Sequence, residues 1–532
     1  MSPALVRRVL LGAFALALVP AGCACGSGDS SPTPDADTAT VPFKLEEVLS
    51  NPTATSVQLA LWPRDPAELH VEYWEAPGGA VRRTETQRSS RDDERALVFR
   101  LEGLAPDREY LYRVSGKAEG GALVERAEAS VRTLRREEGG TFRFAYGADS
   151  HITGVWVQSQ CEGKRNPELM VANFRRTLDN VLRSDVDFIV AGGDTFMTHL
   201  WKFKPCGELE ALGHGTVRTA QQADLRYELA LSSGLWGKLT RQLPFFYVLG
   251  NHDGEARYGD SKGSYGHFED TRELSRAARL RHLPDPTAVY DGSKDQDLYF
   301  SFVSGDARFI ILDVMAGPRD YPKVPEDWTL GSEQLAWFER ILKTNDRTWT
   351  FVFIEHLDGG IMRPDGLPLP HPGGAKGGHA YGRGSMRATL DSTPRGRFRG
   401  EQALLQKLMR ENGVDVFFHG HDHIAIVGEK KAPDGRGEGV YYAMAGQFSG
   451  DDFGPGWARF DWFQEQVDYD EDGVADFLTG ANASSQPGFY RVTVKGSESV
   501  ELAYVMSSSQ PELDGTVAFR VTIHADGTSS LD

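Results

Sequence analysis

Five short polar segments, each placed directly after an apolar, strand-like run, constrain this chain more than any other feature. The runs are TFRFAYGA, VDFIVAGG, LPFFYVLG, TWTFVFIE and VDVFFHG. The polar groups that follow them are Asp149-Ser150-His151, Asp194, Asn251-His252-Asp253, His356 and His421-Asp422-His423. Open α/β sheets bind ligands at the carboxyl ends of their strands. We therefore expect an α/β fold that gathers these groups at one edge.

The chemistry of these groups favours a metal site. Carboxylate, amide and imidazole donors without a thiolate suit a borderline transition metal, and the five segments offer enough of them for two ions. The alternative is a set of scattered structural histidines and loop aspartates. We prefer the metal site because all five segments occur in order, each in the same strand-end context.

The order of the segments resembles the calcineurin-like metallophosphoesterases, in which DxH, GD, GNHD or GNHE, a lone His and GHxH follow one another. The resemblance covers residues 141–508. It implies a β-sandwich flanked by helices, and a hydrolase of phosphoric ester bonds. In such enzymes a metal-bridging hydroxide attacks phosphorus.

The resemblance also implies a role for each residue. One metal would be held by Asp149, His151 and His423, the second by Asn251, His356 and His421, and Asp194 would bridge both. His252 would act without binding metal, by protonating the leaving group or contacting the phosphate. Asp253 would orient the ring of His252.

Two positions distinguish the chain from the purple acid phosphatases, which it resembles in having an N-terminal β-sandwich. Those enzymes carry a tyrosine ligand of iron three residues after the bridging aspartate, where this chain has Met197. They also lack the histidine of the first segment, whereas His151 is present here. We therefore expect no tyrosinate chromophore and two divalent transition metals, Mn, Fe or Zn.

Residues 42–135 predict a small all-β sandwich, because apolar and polar residues alternate with period two between Gly, Pro and Asp turns. The stretch LEGLAPDREYLYRV resembles the corner of fibronectin type III domains, with Leu104, Pro106 and Tyr110 at the expected offsets. In such a corner the Tyr110 hydroxyl returns to the backbone.

The segment after this sandwich alternates strands and helices. Helical periodicity marks NPELMVANFRRTLDNVLRS, GSEQLAWFERILKTN and RGEQALLQKLMRENG. Ser332 is the expected cap of the second helix, and Gly413 the expected end of the third. The stretch LYFSFVSGDARFIILDV predicts two strands joined by a Gly-Asp turn.

The first residues indicate export. Arg7 and Arg8 precede the run VLLGAFALALV, so residues 1–22 are typical of a signal peptide, and the run is too short to span a bilayer. Cys23 resembles the lipidated cysteine of bacterial lipoproteins, with plain secretion as the alternative. Residues 23–41 have the composition of a flexible linker.

Cys161 and Cys206 lie in loops after two of the metal-bearing strands. Export permits a disulfide between them, and both loops should leave the same sheet edge. Two free buried thiols are the alternative.

Residues 468–479 resemble a calcium loop. The carboxylates at the ligand spacing belong to Asp468, Asp470, Asp472 and Asp476. Thr479 stands where the bidentate Glu of such loops is usual. We prefer a structural calcium site over a merely acidic surface loop.

Residues 361–400 form a long Gly/Pro-rich segment that carries more basic than acidic side chains. Such a segment is usually functional or disordered. Because it leaves directly from His356, it is either a basic lid that attracts an anionic ester or a solvated insertion. Residues 509–532 are expected to form a C-terminal strand or tail.

The net charge of −18 argues against bulk attraction to nucleic acid or anionic membranes. We therefore expect a phosphate-ester substrate, no stable nucleic-acid complex, and membrane contact only through a lipid anchor. A phosphomonoesterase is the preferred interpretation. A phosphodiesterase or nuclease on the same site, or a non-catalytic surface binding protein, remains an alternative.

Overall fold

Two mixed sheets carry the polar segments, and a small β-sandwich precedes them in the chain. The structure is a computed structural model. It describes residues 43–152, 167–198, 217, 219–250, 252–255, 271–313, 315, 330–355, 361–362, 368–369, 401–421, 423, 425–430, 439–450, 483–484 and 486–531.

The N-terminal region is all-β, as predicted. Its strands are β1 (Phe43–Ser50), β2 (Ser56–Pro63), β3 (Ala67–Glu75), β4 (Arg82–Arg83), β5 (Gln87–Arg88), β6 (Leu97–Glu102), β7 (Glu109–Ala118), β8 (Leu123–Glu125) and β9 (Ala129–Arg132). β1, β2 and β6 form one sheet, and β3 and β7 are the centre of the other. Alternate residues such as Leu59, Leu69 and Tyr112 are fully buried between them, which is what the period-two pattern requires.

The corner predicted around Tyr110 is confirmed. Its hydroxyl accepts a hydrogen bond from the backbone N–H of Ala105 at 2.9 Å, and the side chain is almost fully buried. This bond ties the start of β7 to the loop before it.

The first large sheet has the order β12-β11-β10-β23-β24-β25-β26. Its strands are β10 (Thr141–Gly147), β11 (Phe188–Ala191), β12 (Phe245–Tyr247), β23 (Gly488–Lys495), β24 (Ser499–Met506), β25 (Val517–His524) and β26 (Ser529–Leu531). β10, β11 and β12 are parallel, so their carboxyl ends lie at one edge. β25 and β26 extend this sheet beyond residue 508. The domain boundaries expected from the sequence stay predictions.

The second large sheet has the order β13-β14-β15-β16-β19-β21-β20-β22. Its strands are β13 (Asp291–Gly292), β14 (Phe300–Ser304), β15 (Ala307–Ile311), β16 (Trp349–Phe353), β19 (Val416–His419), β20 (Ala425–Lys430), β21 (Val440–Met444) and β22 (Ala483–Ser484). β14 and β15 are the predicted antiparallel pair. β15, β16, β19 and β21 are parallel. Within the predicted basic segment, β17 (Ile361–Met362) pairs with β18 (Pro368–Leu369), and its other residues lie outside the described part.

The described helices are α1 (Pro167–Arg183), α2 (Ala220–Ala230), α3 (Trp236–Thr240), α4 (Thr271–His282), α5 (Gly331–Lys343) and α6 (Glu401–Glu411), with a 3-10 turn at Pro286–Ala288. The three predicted helices are present, and Gly413 adopts the left-handed conformation (φ 66°) expected after α6. The cap expected at Ser332 is wrong. α5 begins at Gly331 after Leu330, so Ser332 lies inside its first turn.

Phenylalanine side chains from the two large sheets meet in the core. Phe144 of β10 contacts Phe309 of β15 edge-on, with 5.1 Å between ring centroids. It also lies 5.5 Å from Phe351 of β16 and 6.1 Å from Phe418 of β19. These contacts confirm the predicted α/β class, a β-sandwich with few helices.

The N-terminal sandwich packs on the helices of the second region. The Thr240 hydroxyl at the end of α3 donates to the Glu47 carbonyl at 3.0 Å, and the Tyr112 hydroxyl donates to the Arg241 carbonyl at 2.6 Å. Trp62 lies 5.0 Å from the ring of His282. Among the described helices, none has both the length and the apolar character needed to cross a bilayer.

Candidate metal centre

The parallel strands of both sheets deliver polar residues to one place. Asp149 follows β10 and Asp194 follows β11, and the backbone N–H of Asp149 donates to the Gly193 carbonyl at 3.2 Å. In the second sheet, Glu355 follows β16 and His421 follows β19. The backbone N–H of His421 donates to Oδ2 of Asp149 at 2.8 Å, which joins the two sheets at the site.

Several of these residues have a left-handed backbone that side chains rarely adopt. They are Asp149 (φ 55°), His151 (φ 49°), Asp194 (φ 50°), Met197 (φ 54°), His421 (φ 72°) and His423 (φ 62°). Each such residue costs about 1–3 kcal/mol, and such strain concentrates at functional sites. The surrounding hydrogen bonds must offset this cost to hold the side chains in place.

Close approach between two loops explains the glycine before Asn251. A Cβ on Gly250 would lie 2.2 Å from Oδ1 of Asp194 and 2.3 Å from its backbone nitrogen. The loop that carries His252 therefore packs directly on the Asp194 loop, which a larger residue at this position would prevent.

The first group of possible ligands is Asp149, His151 and His423. Their ligand atoms all lie within 4.8 Å of one another, and Nε2 of His423 lies 3.3 Å from Oδ1 of Asp149. Nε2 of His151 lies 3.6 Å from the same oxygen. Among the described residues, neither Oδ1 of Asp149 nor Nδ1 of His151 has a hydrogen-bond partner, although both are buried. A cation between these side chains fits this donor set.

The second group is Asp149, Asp194 and Glu355, whose oxygens lie within 4.8 Å of one another. His421 is beside it, with Nδ1 3.1 Å from Oε1 of Glu355. Oδ2 of Asp194 also lies 3.0 Å from Nε2 of His151 in the first group. Asp149 therefore belongs to both groups, and Asp194 of the second group reaches a ligand of the first, as a bridging residue must.

The pKa values of Asp149 and His151 are strongly shifted in this buried site. Burial alone lowers the pKa of His151, but Asp149 and Asp194 outweigh it and raise the pKa to about 9. Burial tends to raise the pKa of Asp149, but His423 and His151 outweigh it and hold the pKa far below its usual range. Nearby positive charge stabilises the ionised carboxylates of Asp149 and Asp194. A metal that binds His151 must displace the proton of its ring.

His252 lies beside Asp194 and is largely buried. Its backbone N–H donates to Oδ1 of Asp194 at 2.7 Å, and its ring Nε2 lies 3.9 Å from Oδ2. The described geometry thus places the ring at the edge of the two ligand groups.

Asp253, expected to orient the His252 ring, is held by the backbone of two loops. Its carboxylate accepts hydrogen bonds from four backbone N–H groups, of Gly250 (3.0 Å), Thr195 (3.3 Å), Phe196 (2.7 Å) and Met197 (3.1 Å). These loop N–H groups are buried and need acceptors, which the Asp253 carboxylate supplies. Burial and the nearby Asp194 carboxylate raise the pKa of Asp253 to about 7, against these N–H groups.

Glu355 is the residue that the sequence analysis missed. It is fully buried and contributes to the second ligand group. The available signal was a charged residue that closes the apolar run TWTFVFIE directly before His356.

Several predicted residues lie outside the described part of the chain. They are the ligands Asn251 and His356, the cysteines Cys23, Cys161 and Cys206, and the calcium-type residues Asp468, Asp470, Asp472 and Asp476.

The profile of the calcineurin-like phosphoesterases matches residues 148–425, which contain all five polar segments. The chain belongs to this family, and it is a hydrolase of phosphoric ester bonds. Membership implies divalent metal ions, which fits the two ligand groups. None of the curated proteins compared with the chain matches it.

Two solved structures share the fold. One, described as the structure of PhoD, has a TM-score of 0.64 at 15% identity, over 94% of this chain and 93% of the other. The second is the purple acid phosphatase PPD1 from yellow lupin (Lupinus luteus) seeds. Its TM-score is 0.52 at 15% identity, over 90% of this chain and 74% of that one.

Proposed function

We propose that the protein is an exported phosphomonoesterase with two divalent metals. The observation that carries this proposal is the position of Asp194 between the two ligand groups, 3.0 Å from Nε2 of His151 and within 4.8 Å of the Glu355 and Asp149 oxygens. A carboxylate within reach of two sets of donors is the arrangement that a dinuclear site needs.

The proposed ligands follow the family pattern. Asp149, His151 and His423 would hold one metal, Asn251, His356 and His421 the other, and Asp194 both. Two such cations supply a nucleophilic hydroxide at neutral pH and stabilise the charge that develops on the phosphoryl oxygens. Mn, Fe and Zn all suit these donors.

The chain's own residues would protonate the leaving group and surround the phosphoryl group with buried charges. The backbone of His252 is held by Asp194, and its ring would carry a proton at Nε2 and deliver it to the leaving oxygen. The Asp149 and Asp194 side chains are buried, so their charges would act in a surrounding of low dielectric constant, where electrostatic interactions are stronger.

The monoester preference rests on weaker support. The fold likeness to a purple acid phosphatase favours a phosphatase, and the acidic total weakly opposes a nuclease. The basic segment 361–400 permits a diester or nucleic-acid substrate, so that activity is the second candidate. The proposal of export rests on residues 1–22, and Cys23 is the proposed site of a lipid anchor. The calcium loop at residues 468–479 and the Cys161–Cys206 disulfide are also proposals that rest on the sequence.

A comparison of two substrates tests the proposal. The full chain is dialysed against a chelator, reloaded with Mn, Fe or Zn, and assayed with an aryl phosphate and a bis-aryl phosphate. We expect no turnover without metal and a higher kcat/KM for the monoester. A higher kcat/KM for the diester would replace phosphatase by phosphodiesterase, and full activity after chelation would overturn the metal mechanism.

A further inference from the structure

Glu355 is a buried carboxylate that the family pattern gives no role. It follows β16 by two residues, and its backbone carbonyl accepts a hydrogen bond from the Gly420 N–H at 3.1 Å. Ile354 is likewise bound to Phe418, so the pairing of β16 with β19 continues up to the site. Glu355 is therefore fixed to the loop that carries His421.

The side chain of Glu355 points at the other ligands. Its carboxylate lies within 4.8 Å of the Asp149 and Asp194 oxygens, and all three residues are buried. Three buried carboxylates this close repel one another unless a cation lies among them. The 3.1 Å between Oε1 of Glu355 and Nδ1 of His421 is also a spacing that two ligands of one cation adopt.

The backbone of the neighbouring loop leaves room for this side chain. Gly193 has φ 106°, and a Cβ added there would lie 2.3 Å from Cγ and 2.6 Å from Cβ of Glu355. Glycine at this position, directly before Asp194, is thus what allows the Glu355 stem to reach the site.

We propose that Glu355 is a ligand of the second metal, together with Asp194 and His421. This assignment rests on the proposed function, because it needs a cation in the second group. A further carboxylate makes that position harder and more negative than an amide and imidazole set. It therefore shifts the preference from Zn toward Mn or Fe(II).

A role in which Glu355 only orients His421 predicts a different response to substitution. Glu355→Gln keeps an oxygen that accepts a hydrogen bond from Nδ1 of His421, but it removes the anionic ligand. A purely orienting role would survive this change, and a ligand role would not.

Asp313 provides a matched control. β15 and β16 are parallel with Ile311 opposite Phe353, so Asp313 follows β15 by two residues just as Glu355 follows β16. It is buried, and it accepts a hydrogen bond from the Leu298 N–H at 2.9 Å. Asp313 belongs to neither ligand group, so Asp313→Asn removes a buried carboxylate at the same sheet edge without touching the proposed metals.

The test is a Mn²⁺ titration of metal-depleted wild type, Glu355→Gln and Asp313→Asn, with free Mn²⁺ followed by electron paramagnetic resonance. We expect two equivalents in wild type and in Asp313→Asn. In Glu355→Gln we expect one equivalent at unchanged affinity and the other weakened by more than about 100-fold, which exceeds the roughly 10–100-fold that loss of a partner outside the ligand set costs.

Each outcome decides the assignment. Two equivalents with wild-type affinity in Glu355→Gln overturn it while leaving the proposed function intact. Fewer than two equivalents in wild type overturn the proposed function itself. If the Gln variant does not fold, Glu355→Asp is the second variant, because it keeps the charge but shortens the side chain. It should still lower the affinity for one of the two Mn²⁺ ions. Unchanged binding in that variant also overturns the assignment.

Discussion

Asp194 holds His252 by a hydrogen bond to the backbone. Oδ1 of Asp194 accepts the His252 N–H at 2.7 Å, whereas the ring Nε2 lies 3.9 Å from Oδ2. The contact that positions this segment therefore survives truncation of the side chain.

His252→Ala should consequently retain both metals and lose turnover. We expect a fall on the order of 10²-fold for esters with poor leaving groups, and a smaller fall for good ones, because only the former need protonation. Steady-state kinetics with a series of leaving groups, beside elemental analysis, measures both effects. Loss of one metal in this variant would show that His252 is a ligand instead.

Asp253→Asn should destabilise the fold. The carboxylate accepts from Gly250 and Thr195 on one oxygen and from Phe196 and Met197 on the other. In the Asn variant the side-chain NH₂ replaces one of the two oxygens. The two backbone N–H groups that this oxygen served then lose their acceptor. The expected cost is about 1–3 kcal/mol for each unpaired group, measured by urea unfolding. An unfolding curve identical to wild type would mean that these bonds contribute nothing.

Arg279 and Glu255 form a buried ion pair that ties α4 to the segment after Asp253. Nε and Nη2 of Arg279 donate to the two carboxylate oxygens at 2.5 and 3.1 Å. Arg279→Met leaves Glu255 buried with Arg276 as its remaining partner. We expect a loss of about 3 kcal/mol in the free energy of unfolding.

Arg340→Met is the control for this pair. Arg340 contacts Asp291 at the surface, where both side chains are half exposed, so its removal should cost under about 1 kcal/mol. Equal losses in the two variants, measured by urea unfolding, would contradict the role given to the buried pair.

His282 makes stability fall at acidic pH. Burial lowers its pKa from 6.5 to about 3, against its bond to the Ala278 carbonyl, and Arg281 and Lys44 lower it further. Asp224, 3.5 Å from Nδ1, also faces the ring. The unfolded chain takes up the proton first, so this contribution is complete above pH 6.5 and is lost as pH falls toward 3.

His282→Phe keeps a ring against Trp62 and Tyr227 but cannot take up this proton. Thermal unfolding should show a smaller loss of stability between neutral pH and about pH 5 than wild type, by up to about 1.4 kcal/mol per pH unit. The same pH dependence in both proteins would assign acid sensitivity to other groups.

Sequence patterns predicted the parts of the site that have fixed spacing. Asp149 and Asp194 follow parallel strands of one sheet and His421 follows a parallel strand of the other, so the strand pattern explains why each lies at a strand end. Glu355 was missed because one charged residue at the end of an apolar run has no spacing partner. Its role depends on which strand lies beside β16.

The backbone partners of Asp253 could not be predicted from the sequence either. They depend on where the Thr195–Met197 backbone passes, which is a long-range property. The cap expected at Ser332 lies two residues after the observed N-cap Leu330, a shift within the range in which helix ends are least predictable.

The metal content of Asp194→Asn tests the central claim most directly. Purified wild type and variant are reloaded with the same metal and analysed for metal per chain and for phosphomonoester turnover. Because Asp194 lies between both ligand groups, we expect two metals and activity in wild type, and reduced metal content without turnover in the variant. Two tightly bound metals and wild-type turnover in Asp194→Asn would contradict the account.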